Sequence, residues 1–140
     1  MAFAGIDYLA VLAAAVAAFA FGAAYYGPLG KAWLTAQGKD PVACKDRKPK
    51  PGPFIRAGIA LLVMAWVMGG LMGHLGEGAY TVGGGILTGA IVWLGFVATT
   101  LVVNHGFQES KIALTLIDGG HWLGVLAIQG AVIALLGPPA

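Results

Sequence analysis

The chain has 140 residues, 59% of them hydrophobic and only 10% charged, with a mean hydropathy of +0.83; a soluble domain of this size needs a far more charged surface, so the composition describes an integral membrane protein. The net charge of +2 comes from basic residues with no interleaved aromatics, which argues against a nucleic-acid partner. A single cysteine, Cys44, excludes an internal disulfide and any multi-thiolate metal site.

In chain order, the first apolar segment runs from Asp7 to Gly27 and is rich in alanine. Its ~21 residues at ~1.5 Å each match a hydrocarbon core of ~30 Å, so it reads as a span over about 7–27. It is too long for the apolar region of a secretory signal, and no Lys or Arg precedes it. Tyr25 and Tyr26 stand where an aromatic belt is expected. Pro28 disfavours helical geometry at Gly27, so the helix is predicted to end or kink there, with Leu29 to Thr35 lying along the membrane surface.

The segment of about 30–53 reads as the one long loop, and its stretch from Gln37 to Pro53 is dominated by Gly, Pro and charge. Pro41, Pro49, Pro51 and Pro53 favour stiff, extended backbone and argue against a regular helix. The cluster Lys45, Arg47, Lys48 and Lys50 could hold lipid headgroups or an acidic partner, and it also fits a role in setting topology.

A second span follows over about 54–75, with Gly58, Ala65, Gly69 and Gly73 on one face. The short turn from Gly76 to Thr81 makes the second and third spans antiparallel neighbours. Gly85 and Gly89 in the third span, about 82–105, lie at the same end as Gly69 and Gly73, which predicts a tight crossing of these two helices. A second short turn, Gly106 to Ser110, leads to the fourth span, about 112–136.

That fourth span carries both an acid and an imidazole. At 100° per residue, Lys111, Thr115, Asp118, His121, Trp122 and Gln129 form a polar stripe, with Ala113, Gly120, Gly124, Ala127 and Ala131 as a small-residue ridge behind it. Counting back from the turn sets Asn104 against Lys111, Thr100 against Thr115, Val97 against Asp118, and Trp93 or Leu94 against His121. On a regular helix Asn104, Thr100, Val97, Trp93 and Ala90 share one face, so Thr100 and Asn104 are expected to join Thr115, Asp118, His121 and Gln129 in an intramembrane polar cluster.

With four spans, every Lys and Arg falls on one side, which the positive-inside bias places in the cytoplasm with both termini outside. The expected architecture is an all-α integral membrane four-helix bundle of two antiparallel hairpins, a single domain over 1–140.

Asp118 then lies roughly 10 Å inside the hydrocarbon and His121 about 15 Å. An unpaired carboxylate there costs several kcal/mol, so Asp118 is expected to bond His121 or threonines, to be protonated, or to meet water. Two readings follow: the pair is interhelical glue, or it is a proton or cation relay. The histidines do not supply a facing pair for haem, because His74 lies near one surface, His105 near the other and His121 in the middle. No nucleophile motif, phosphate loop or metalloprotease pattern occurs. Neither a cofactor nor a metal site is expected, and the protein is read as not an enzyme.

The run Tyr25-Tyr26-Gly27-Pro28-Leu29-Gly30-Lys31-Ala32-Trp33, Trp93-Leu94-Gly95-Phe96 leading to Asn104, and a polar residue followed by His121 together resemble the bacterial membrane family catalogued as domain of unknown function 1761. The resemblance covers nearly the whole chain and implies a four-span fold in the bacterial inner membrane, with no activity attached. The functional expectation is a non-catalytic accessory or structural subunit of a homo-oligomer or larger membrane complex, set in the lipid bilayer. The alternative is a small proton- or cation-conducting transporter or channel using Asp118 and His121.

Overall fold

A computed structural model describes Phe3 and residues 5–137. Among them every regular element is helical, and four helices are long and apolar enough to cross a membrane: Tyr8–Ala36, Pro51–Leu75, Val82–Phe107 and Ile112–Leu136. They are called the first to fourth helices below.

The first helix runs uninterrupted for 29 residues with Pro28 inside it, so the expected break at Gly27 and the separate surface segment Leu29 to Thr35 are both corrected. An interior proline costs about 3 kcal/mol through its missing N–H and ring clash. Here the turns beyond it are held from outside, by a bond from Trp33 to Asp118 and by Lys111 Nζ donating to the Thr35 carbonyl at 3.4 Å. The start of the helix is capped by Asp7, whose carboxylate accepts from the amides of Leu9 and Ala10.

The proline-rich loop is likewise more helical than expected. Asp40 caps a single turn, Pro41–Cys44, and the second helix begins at Pro51 rather than near Phe54. Both prolines stand in the first turn of their helix, where the missing N–H would have had no partner anyway. Lys45, Arg47, Lys48 and Lys50 are exposed around them.

The core is built of small and flexible apolar groups: Val11, Ala14, Ala15 and Ala18 of the first helix, Leu61, Ala65, Met68 and Met72 of the second, and Val125, Leu126, Ile133 and Ala134 of the fourth. Spacings of three and four residues in the first two sets, and of seven and eight in the third, put each set on one helix face. The fourth helix is central. It packs antiparallel along the first, from Gly137 beside Ala10 to Asp118 beside Tyr26, and antiparallel along the third, from Gly130 beside Gly85 to Thr115 beside His105.

This order corrects the expected crossing of the second and third helices. Gly85 and Gly89 do serve a close approach, but to the fourth helix, where a Cβ on either would overlap the backbone carbonyl of Gly130 or Leu126. Gly69 packs against the side chains of Val11 in the first helix and Ile6 just before it, and Gly73 is exposed. Between the second and third helices lies a groove of about 190 Å3 bordered by Met64, Met68, Leu71 and Val92. Gly120 and Gly124 face no neighbouring backbone either. They make room for aromatic side chains of the first helix, the Tyr25 hydroxyl at Gly120 and the Phe21 ring at Gly124.

The third helix departs from regular geometry in its middle, where Trp93–Ala98 forms a π-helical segment. Such a segment winds more residues into a turn and so sets every later side chain back around the helix, by about one residue. The third and fourth helices are joined by a tight turn in which Glu109 takes a left-handed conformation, φ 54°.

Candidate functional site

The polar centre gathers around Asp118, seven residues into the fourth helix. Its Oδ1 accepts from the Tyr26 hydroxyl at 2.7 Å and from the Trp33 indole N–H at 3.0 Å. Tyr26 and Trp33 stand two turns apart on the same face of the first helix and reach the carboxylate from either side of Pro28. The other oxygen, Oδ2, lies 3.9 Å from Nε2 of His105, and Nδ1 of that ring is 2.9 Å from the Thr115 hydroxyl. Three helices therefore converge on one carboxylate. Hydrogen bonds to an ionised acceptor contribute about 1.5–3 kcal/mol each, the scale that offsets burying an acid between helices.

The backbone nearby is also engaged. Tyr25 donates through its hydroxyl to the Ile117 carbonyl at 2.8 Å, and Trp93 through its indole N–H to the Gly119 carbonyl at 2.8 Å. The segment Ile117 to His121 is thus pinned on one side by the first helix and on the other by the third.

An open cavity leads to Asp118 from the end of the bundle that carries the turn between the third and fourth helices. A vestibule of about 470 Å3, bordered by Trp33, Gln37, Glu109, Ser110 and Lys111, has Asp118 on its wall. Towards the termini the route meets the dry packing of Val125, Leu126 and the Gly85 to Gly130 crossing.

Of the expected cluster, Asp118 and Thr115 come together, while four other members lie elsewhere. His121 does not bond Asp118. It sits among rings, with the centroids of Tyr26 and Trp122 each 4.8 Å away, and its Nδ1 is buried with no partner among the described residues. Gln129 is fully buried further along the helix, where its Nε2 donates to the Leu61 carbonyl of the second helix at 2.9 Å. Thr100 and Asn104 are exposed, and the Thr100 hydroxyl bonds back to the Phe96 carbonyl of its own helix. The π segment explains the last pair: past it the face is shifted by about one residue, and His105 points inward where Asn104 was expected.

Sequence reasoning missed Tyr26, Trp33 and His105. The helical spacing of Tyr26 and Trp33 was a usable signal for a shared face, had Pro28 not been read as a boundary. No residue pattern announced the π segment.

The family described as "Protein of unknown function (DUF1761)" matches residues 9–134, which include every residue of this centre. The chain belongs to that family. Neither a curated protein nor a solved structure matches it. In this DUF1761 chain the centre is a carboxylate held by three helices at the foot of a vestibule, and beside it an imidazole enclosed by aromatic rings.

Proposed function

We propose that this DUF1761 protein is a non-catalytic subunit of a membrane assembly, joined to a second copy of itself or to another membrane subunit through the outer face of its third helix. The observation that carries this reading is a polar strip on that face. Thr99, Thr100, Val103 and Asn104 border a shallow depression on a helix whose other outward residues, Leu87, Ile91, Leu94, Phe96 and Val102, are apolar. Both threonines bond back to their own helix, to Gly95 and Phe96, whereas the Asn104 amide has no partner among the described residues. Asn104 stands in the last turn of the third helix, where headgroups and water or a neighbouring helix can satisfy its amide, and we take the neighbouring helix as its partner. The Asp118 centre fits the non-catalytic part of this reading, because its donors fix three helices of the chain to one another.

The test is cross-linking in native membranes. With Cys44→Ser removing the natural thiol, Val103→Cys is expected to give a disulfide-linked dimer on mild oxidation, or a cross-link to another membrane protein with a bifunctional reagent. A product of single-chain size under both conditions contradicts the proposal. We place the protein in a bacterial inner membrane with the basic loop in the cytoplasm. A reporter active only in the cytoplasm should then work when inserted near Cys44 and stay silent after Ala140; the reverse pattern overturns that orientation.

The vestibule reaching Asp118 favours a second reading, a small proton or cation conductor. A relay requires the carboxyl to gain and lose its proton, so Asp118→Asn would keep the fold and abolish pH-driven flux in proteoliposomes. On the structural reading no flux occurs in the wild type, Asp118→Asn retains assembly, and Asp118→Leu weakens it.

A further inference from the structure

Between the first, second and fourth helices lies a pocket of about 280 Å3, separated from the vestibule by Tyr26, whose hydroxyl is already committed to Asp118. Its walls include Phe19, Gly22, Ala57, His121 and Trp122, and no Lys, Arg, Asp or Glu contributes to them. We infer that this pocket binds a flat, uncharged, lipid-soluble ring bearing a carbonyl or phenolic oxygen.

Four features define that ligand class. The first is the imidazole of His121, only 8% exposed and without a hydrogen-bond partner among the described residues: its Nδ1 is enclosed, and its Nε2, just 3.1 Å from where a Cβ on the pocket-lining Gly22 would stand, is the nitrogen left for a ligand oxygen. Glycine at position 22 lets this ring edge reach the pocket wall on the first helix. A buried imidazole without a partner costs stability that a bound oxygen would recover. The second is the aromatic lining, in which Tyr26 and Trp122 flank the imidazole at 4.8 Å and offer ring faces for stacking.

The third is access. Phe19 and Phe54, their ring centroids 6.4 Å apart, border the pocket on the outer surface of the bundle and are 37% and 53% exposed. A ligand entering beside this ring pair comes from the lipid, which requires it to be membrane-soluble. The fourth is size. An apolar cavity of about 150 Å3 takes up benzene, so this pocket has room for a substituted or fused ring, and its uncharged walls exclude a phosphate or carboxylate headgroup.

The test uses the full-length protein in lipid nanodiscs, with tritiated 2-methyl-1,4-naphthoquinone as the probe and protein-free discs to measure partition into lipid. Saturable binding at one site per chain is expected. His121→Leu, which removes the unpartnered imidazole and should fold at least as well, is expected to weaken binding about fivefold, the equivalent of one neutral hydrogen bond. Ala57→Trp, a change at an exposed position on the pocket rim, is expected to abolish binding while leaving helix content and monodispersity unchanged. Uptake no greater than that of protein-free discs, an affinity unchanged in His121→Leu, or binding that survives Ala57→Trp overturns the inference.

Discussion

Trp33 donates its indole N–H to Asp118 Oδ1 at 3.0 Å, and in doing so ties the turns beyond Pro28 to the fourth helix. Proline should have ended the helix by local preference; a bond across 85 positions of sequence keeps it going. Tyr26 donates to the same oxygen from the near side of the proline, so one carboxylate bridges the weak point of the first helix.

The first prediction follows from that bridge. Trp33→Phe keeps the aromatic bulk and removes one charge-assisted bond, about 1.5–3 kcal/mol. Hydrogen exchange in detergent should then show the amides of residues 29–36 opening faster, with those of residues 8–22 unchanged. Equal protection of both halves would mean that something other than Asp118 holds the distal turns.

The glycine crossing gives a contrast within one residue type. A Cβ on Gly130 would overlap the Gly85 carbonyl, so Gly130→Ala should force the third and fourth helices apart at a cost of about 1–3 kcal/mol. Gly58 on the second helix has nothing within 4 Å of such a Cβ, and Gly58→Ala should be neutral or mildly stabilising. Denaturation midpoints in mixed micelles measure both; similar losses for the two would contradict the assigned crossing.

Gln129 is expected to matter less than its complete burial suggests. Its Nε2 bonds the Leu61 carbonyl, but its Oε1 is buried without a partner among the described residues. Gln129→Met removes the bond and the unsatisfied acceptor together, so stability measured in the same micelles should change by less than about 1 kcal/mol. A loss several times larger would show that Oε1 takes part in a bond of its own.

Hydropathy and loop length made the four helices legible from sequence, because a bilayer fixes span length and demands internally bonded backbone. The depth at which the third and fourth helices pair was legible too: Gly85 beside Gly130 and Gly89 beside Leu126 keep the register counted back from the turn. What could not be read was rotation about the helix axis. The π segment at Trp93–Ala98 turned His105 inward and left Asn104 outside, and long-range bonds overrode the local preference at Pro28. Asp118 was recognised as the centre, but its partners came from the first helix, where the proline had suggested a boundary. His121 was given the wrong neighbour: its ring lies in the aromatic pocket rather than against Asp118.

The most direct test of the assembly role is native mass spectrometry after extraction in native-lipid discs, comparing the wild type with the double variant Thr100→Leu/Asn104→Leu. One chain weighs 14.2 kDa. The account predicts that the wild type emerges at a multiple of that mass, or with a second membrane protein attached, and that the double variant emerges as a single folded chain. A wild type found only at the mass of one chain would contradict it.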